Sequence, residues 1–393
     1  MSKPIIMARS PFLVEVDEAT SKGSELHIYI KNGNGSWSVD PNYKLSKKTA
    51  TPTETRTQYD VSAYIREYLK DNNKQTFPIE YGTGFPDYPI NLWCNVKIER
   101  YNVTNAGTDY LDYQEYYAFD GYLNSRDDFK YNIFQGYPAT IMQSNYGTIY
   151  VPELIYNQSG LAFYTLWAGF FVIVNGNGYY TQIETSESIY AIDSDDPQYL
   201  SINAIENLKT YVYNAEDEVV YTFTPERKCL PKYRPIRLDF VNRFGVWQQC
   251  WFFGADYETV NSKADEYQLM QDVQSYPNVN TEYVPGLNGY NYKQRQTLNK
   301  NGVKTFKLNT DWVQEQWNVC LEEIMMSENL ILSYYYQYEE SFGDTNANKI
   351  SYPVKLNTNS IQLNKHINEK LINYTLEFEY LSPRSEEHTS ELQ

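Results

Sequence analysis

The feature that most constrains this chain is a period-two alternation of apolar and polar residues, repeated from one end of the sequence to the other. In INYTLEFEY (372–380), Ile372, Tyr374, Leu376, Phe378 and Tyr380 alternate with Asn373, Thr375, Glu377 and Glu379. Only a strand sends successive side chains to opposite faces, so such a run predicts a sheet with one buried face and one wet face. SELHIYIK (24–31) sets Leu26, Ile28 and Ile30 against Glu25, His27 and Tyr29, and runs into Asn32-Gly33-Asn34-Gly35. Asn-Gly is favoured in primed turns because both central residues need positive φ. The same tetrapeptide follows FFVIV at Asn175-Gly176-Asn177-Gly178. Two related β domains would produce that echo, and so would independent use of good turn residues.

These signals predict a mainly β fold: tandem antiparallel β-sandwich-like domains, with a C-terminal β-rich domain carrying one amphipathic helix. The expected boundaries are 1–124, 135–225 and 226–383, with the polar stretch NSRDDFKYN between the first two. In the first domain, DVSAYIREYL places Val61, Tyr64, Ile65, Tyr68 and Leu69 on one helical face behind Asp60 as N-cap. NLWCNVKIERYNV and LDYQEYYAFDGY then read as a hairpin that closes the domain near Leu123. The middle region offers the hairpin LKTYVY and EVVYTF around Asn214-Ala215-Glu216-Asp217. The third opens with YRPIRLDF and VWQQCWFF, in which Ile236, Leu238 and Phe240 are expected to share a sheet face with Trp251 and Phe253.

A long polar stretch, Gly254 to Tyr292, follows and is expected to act as an arm that orders against a neighbour. RQTLNKNGVKTFKLN reads as a hairpin turning at Asn301-Gly302. A helix is predicted over 311–327, capped by Thr310, with Val313, Trp317, Cys320, Leu321 and Ile324 on its core face. The meander LILSYYYQYE, SYPVKLN, NSIQLNK and INYTLEFEY completes the domain. The final decapeptide, RSEEHTSELQ (384–393), has no periodicity and matches the translation of one frame of a widely used short-read sequencing adapter. It is therefore read as non-native read-through from a metagenomic assembly, and its three glutamates and His388 are left out of every charge and ligand argument.

The formal net charge of −17 becomes −15 without the decapeptide, whose Arg384 and three glutamates sum to −2; it repels a phosphate backbone and argues against nucleic acid as a partner. Cys94, Cys229, Cys250 and Cys320 lie far apart without a Cys-x-x-Cys, so buried free thiols are expected rather than a zinc site or a disulfide scaffold. The N-terminus shows no secretory signal pattern. The longest apolar run, LAFYTLWAGFFVIV (161–174), is shorter than the roughly 17 to 25 residues of a spanning helix. It reads as a strand or hairpin broken at Ala168-Gly169. No membrane association is expected.

No catalytic signature is present. His27 and His366 lack neighbouring ligands, and Asp193-Ser194-Asp195-Asp196 lacks the glycine and glutamate that a calcium loop needs at its sixth and twelfth positions. Asp127-Asp128 reads as a polar linker rather than a glycosidase pair. Phosphate-binding loops, nucleophile elbows and dinucleotide fingerprints are also missing. The expectation is a non-enzyme with no catalytic, metal or cofactor residues. Interaction residues are sought instead among the 40 tyrosines, which outnumber the 17 phenylalanines. Tyrosine joins an apolar face to a polar tip and suits protein interfaces and sugar-stacking platforms, although AT-rich codon usage also enriches it. The run Tyr334, Tyr335, Tyr336 and Tyr338 is the densest candidate. The basic cluster Arg227, Lys228, Lys232, Arg234 and Arg237 is the second, and Lys293, Arg295, Lys300, Lys304 and Lys307 form another. Together they suggest a positive patch on an acidic body or, alternatively, solvated charges on strand edges that deter wrong pairing.

SPFLVEVDEA, ELHIYIKNGNGSWSVDPNYKLSK, QYDVSAYIREYL, LDFVNRFGVWQQ and YPVKLNTNSIQLNKHINEKLINYTLEFEY together resemble uncharacterised virion structural proteins of tailed bacteriophages, particularly the crAss-like group. The likeness lies mainly in the first 70 and last 150 residues. It implies a β-sandwich component of neck, tail or baseplate, a homo-oligomer with other phage structural proteins as partners, assembled in the bacterial host cytoplasm and resident in the virion. It carries over no active site. A glycan- or receptor-binding adhesin module of the tail is the alternative.

Overall fold

The computed structural model describes residues 3–19, 21–33, 35–51, 53–73, 93–123, 139–141, 148–152, 167–175, 181–184, 189–192, 198–203, 210–213, 218–228, 233, 236–268, 295–335, 349–363 and 371–381. The described chain is mainly β, with several antiparallel sheets and two helices.

The N-terminal part comprises β1 (Ile5–Met7), β2 (Leu13–Asp17), β3 (Gly23–Asn32), β4 (Tyr43–Lys48), β5 (Arg56–Asp60), α1 (Ser62–Asn73), β6 (Trp93–Thr104) and β7 (Gly107–Phe119). A five-stranded sheet runs β1-β7-β6-β3-β4, and β2 pairs with β5. Alternation works as expected: Leu26, Ile28 and Ile30 on β3 meet Cys94, Val96 and Ile98 on β6 in one core with Val14, Val16 and Tyr59. Buried hydroxyls join the layers, because Ser24 bonds to both Thr57 and Tyr59 of β5. Asp60 sits at the helix entry, its Oδ1 accepting from the Ser62 N–H at 3.0 Å, and α1 buries Ile65 and Leu69. Asn32-Gly33 does turn, with φ 45° at Gly33. It opens a longer connection to β4 rather than a tight hairpin. One pairing departs from the antiparallel expectation, since β1 runs parallel to β7.

The middle part contributes β8 (Ala139–Ile141), β9 (Thr148–Pro152), β10 (Trp167–Asn175), β11 (Thr181–Glu184), β12 (Ile189–Ile192), β13 (Gln198–Asn203), β14 (Thr210–Tyr213) and β15 (Val219–Lys228). They form sheets ordered β13-β10-β8 and β12-β11-β14-β15-β9. The expected β14–β15 hairpin is present, whereas β9 joins β15 in parallel. The break anticipated at Ala168-Gly169 is a register shift within β10. The Asn175-Gly176-Asn177-Gly178 turn, the Asp193 to Asp196 run, Asp127-Asp128, Cys229, His366 and the terminal decapeptide lie outside the described residues.

The C-terminal part holds β16 (Ile236–Val241), β17 (Trp247–Phe252), β18 (Tyr257–Gln268), β19 (Arg295–Asn309), β20 (Val313–Gln314), α2 (Trp317–Met326), β21 (Leu330–Tyr335), β22 (Lys349–Leu356), β23 (Leu371–Ile372) and β24 (Thr375–Tyr380). Seven strands run β17-β16-β21-β22-β24-β19-β18, all antiparallel. Leu238, Leu332, Val354, Phe378 and Phe306 form an apolar layer with Trp317, Cys320, Leu321 and Ile324 of α2.

Five expectations need correction here. Asn301-Gly302 makes no turn; β19 passes straight through it, pairing Asn301 with Lys263 and Gly302 with Ser262. The helix begins at Trp317, not 311, because Val313–Gln314 is drawn into a ladder with Leu371–Ile372. Thr310 caps nothing; its hydroxyl accepts the Tyr374 N–H at 3.0 Å, and Asp311 takes φ 61°. Trp251 sits opposite Arg237, hence on the other sheet face from Ile236, Leu238 and Phe240. Both faces of β16 and β17 are buried, so composition could not report the parity. Finally, Asn359 to Leu363 forms no strand, and β22 pairs directly with β24.

The first and third parts interlock. The β16–β17 turn inserts Phe244 and Val246 among Ile5, Met7, Trp93, Tyr117 and Phe119. The Tyr122 N–H donates to the Arg243 carbonyl at 2.7 Å. Gly245 lies at φ 81°, and a Cβ there would meet the Asp120 backbone at 2.7 Å, so the close approach needs glycine. Asp120, with its side chain 5% exposed, binds Arg9 at 3.2 Å and Arg66 at 3.4 Å. Arg66 and Lys70 of α1 also bind Glu328, just beyond α2, at 2.5 and 3.0 Å.

Candidate functional site

The expected interaction residues do not gather in one place. Tyr334 lies on the core face of β21, its hydroxyl 3.2 Å from that of Tyr380. Tyr352 packs edge-on to both rings. Burial, then the bond to Tyr380, raises the Tyr334 pKa far above its ordinary value, so the hydroxyl stays protonated and works as an internal tie. Tyr335 ends β21, its backbone paired with Lys349. Tyr336 and Tyr338 lie outside the described residues, as do Lys232 and Arg234. Arg227 and Lys228 are in β15, opposite Val151 and Pro152. Arg237 is a buried residue whose guanidinium meets Asp239 at 3.0 Å, so its charge is spent inside the fold and adds nothing to a surface patch.

The second basic cluster is organised differently. Arg295, Lys300, Lys304 and Lys307 all lie on β19, while Lys293 is outside the described residues. Lys304 pairs with Glu258 of β18 at 2.5 Å, and Lys307 with Glu377 of β24 at 3.4 Å. The cations therefore hold adjacent strands together.

That pairing builds the most exposed element described. β19 is bonded to β24 only from Thr305 to Asn309, yet it stays bonded to β18 back to Arg295. Beyond β24, roughly ten residues of each strand continue as a two-stranded ribbon, about 30 Å long at about 3.3 Å per residue. Every residue from Asp256 to Tyr267 is exposed, including Tyr257 at 66% and Val260 at 70%, with Leu298 at 75% across the ribbon. Among the described residues, the outer edge of β18 forms the end of the seven-stranded sheet. It presents main-chain donors and acceptors that another strand can complete. The polar arm expected over Gly254 to Tyr292, of which 269–292 lie outside the described residues, is thus a strand from Tyr257 to Gln268. Hydropathy could not show it, because a ribbon wet on both faces has no apolar alternation.

A second surface went unnoticed in the sequence. The outer face of the N-terminal sheet carries His27 tilted against Tyr101 at 4.3 Å, and Tyr101 edge-on to Tyr110 at 5.5 Å. Lys97 lies 4.1 Å from the Tyr29 ring centre and, with Lys31, flanks Trp37. Burial acts to raise the Glu99 carboxyl, but hydrogen bonds from Lys97 and Tyr101 outweigh it and hold the group below its ordinary value. Burial and Glu99 push Tyr101 up to about 12. Tyr110 and Tyr113 remain more than half exposed at the end of this strip. Cys94, Cys250 and Cys320 are buried thiols that form no disulfide. Among the described residues, no helix is long and apolar enough to cross a membrane.

No family model matches the chain, and no curated protein does. Among solved structures, a likeness is found to the crystal structure of the periplasmic chaperone SfaE, 8% identical over 58% of this chain and 97% of that one, at a TM-score of 0.17. A superposition this loose carries no argument about function.

Proposed function

We propose that the chain is a non-enzymatic structural component of a tailed-phage virion, in tail, neck ring or baseplate, acting through self-assembly and protein–protein contacts. The observation that carries this reading is the β18–β19 ribbon. An isolated hairpin is at best marginally stable in water, and an uncovered edge invites further pairing. A long, wet ribbon anchored in a well-packed sheet suits a protein whose ribbon is completed by a neighbour. The resemblance to phage virion proteins supports the same class, and it includes β16, β22 and β24 of the sheet that holds the ribbon. The partners are further copies of the chain and other virion proteins, brought together in the host cytoplasm. Sedimentation of the purified chain, alone and with virion proteins, tests the reading. Higher-order species are expected; a strictly monomeric chain in both conditions would count heavily against it.

The strip of Tyr29, Trp37, Tyr101, Tyr110 and Tyr113 favours a second reading, an adhesin module with tyrosines as sugar platforms. A glycan array with wild type and Tyr110→Ala, Tyr113→Ala chains separates the two. Specific binding that the substitutions abolish supports the adhesin, and a blank array removes it.

A further inference from the structure

We infer that two copies of this chain join through their β18 edges, antiparallel about a twofold axis at Ala264. The inference rests on the assembly reading and specifies its contact. It uses only the edge of β18 that faces away from β19, so nothing depends on how β24 continues.

A twofold axis perpendicular to a sheet keeps each side chain on its own face, so the residue at the axis must face its own copy. Every other residue then faces one of the same parity. Few registers are possible along the twelve residues of Tyr257–Gln268. An axis at Lys263 sets two ammonium groups face to face, and an axis at Asp265 or Glu266 sets two carboxylates face to face. An axis at Ser262 opposes Glu258 to Glu266. An axis at Asn261 avoids like charges but makes no charge pair. An axis at Ala264 opposes Lys263 of each copy to Asp265 of the other, twice, and aligns Ser262 with Glu266 and Asn261 with Tyr267.

Directly opposed unlike charges on neighbouring strands stabilise pairing, whereas like charges oppose it. Among the described residues, neither Lys263 nor Asp265 is in an ion pair within the chain, so both are available. Ala264 places the smallest side chain of the central stretch where the two copies approach most closely. The bulge between Asp265 and Glu266 in the β18–β19 ladder comes from the extra residue Leu298 on β19, so β18 stays regular at the new edge. The product is a four-stranded ribbon linking two seven-stranded sheets.

The test combines cross-linking with charge exchange in the full chain. Ala264→Cys should give an oxidised dimer, because Cβ atoms directly opposed across antiparallel strands lie about 4.5 to 5.5 Å apart. Ser262→Cys should not, since its copy would lie four residues along, about 13 Å away. Lys263→Asp should weaken dimerisation about tenfold through two new like-charge contacts, and Lys263→Asp with Asp265→Lys should restore it. Dimers that persist without the Ala264→Cys cross-link and ignore Lys263→Asp would overturn this register while leaving assembly intact. A chain that is monomeric alone but co-sediments with another virion protein would overturn self-pairing. A chain monomeric in every condition would overturn this inference and the assembly reading together.

Discussion

Gly302→Val distinguishes the extended ribbon from the hairpin that Asn301-Gly302 suggests in sequence. In the structure Gly302 lies in mid-strand opposite Ser262. A Cβ there would meet nothing nearer than the Asn261 carbonyl oxygen at 4.0 Å, and its φ is not among the positive values. Valine therefore fits without strain and removes the entropic penalty of glycine in a strand. The scale of strand preference spans about 1 kcal/mol, and glycine's penalty is about 0.5–1 kcal/mol. A gain of about 1 kcal/mol is about a fivefold change in a local opening equilibrium. Amide hydrogen exchange across 257–268 should slow by that factor. Had Asn301-Gly302 been a primed turn, valine would be forced into a left-handed conformation at about 1–2 kcal/mol, and exchange would quicken. Gly107→Val is the control. Nothing lies within 4 Å of its Cβ position, yet Gly107 sits at φ 143°, so the β6–β7 hairpin should be destabilised despite the open space. Faster exchange in Gly302→Val, or equal effects in the two variants, would refute the straight strand.

Three further outcomes follow from the interlocked parts and the tyrosine cluster. Asp120→Ala leaves the buried Arg9 guanidinium without its carboxylate and should cost about 3–5 kcal/mol in denaturant unfolding. Burial acts to raise the Glu328 carboxyl, but bonds from Lys70 and Arg66 outweigh it and keep it below its ordinary 4.5. Its stabilisation is complete above that value and is lost as pH falls through the lower folded-state value. Because the contact is half exposed, Glu328→Gln should remove no more than about 1 kcal/mol near neutrality, and thermal melts of variant and wild type should converge on acidification. Tyr334→Phe removes the bond to Tyr380 and should lower stability by about 0.5–1.5 kcal/mol while leaving sedimentation unchanged; altered assembly would restore Tyr334 as an interface residue.

The sequence was legible wherever one strand face is buried and the other wet. β3 and β24 carry that pattern, and their facing was readable; the β6–β7 hairpin was readable as a pairing. The core face of α2 was also readable, since Trp317, Cys320, Leu321 and Ile324 keep helical spacing even though the helix starts late. Legibility failed where the two faces are alike. β16 and β17 are buried on both sides, so the side on which Trp251 lies could not be inferred. The β18–β19 ribbon is wet on both sides, so one strand looked like loop and the other like a hairpin. Arg237 looked like surface charge because the sequence gives Asp239 no visible reason to be buried beside it. The strip around Tyr101 brings β3, β6, β7 and Trp37 together across long sequence separations.

Thr259 and Thr305 are direct cross-strand neighbours at the base of the ribbon, so an Asn-Gly turn replacing residues 260–304 can close the sheet without it. Sedimentation equilibrium of this shortened chain beside the full one measures what the ribbon contributes. The full chain is expected to associate while the shortened chain, folded by circular dichroism, stays monomeric; a shortened chain that assembles as well as the full one would show that the ribbon is not the assembly contact.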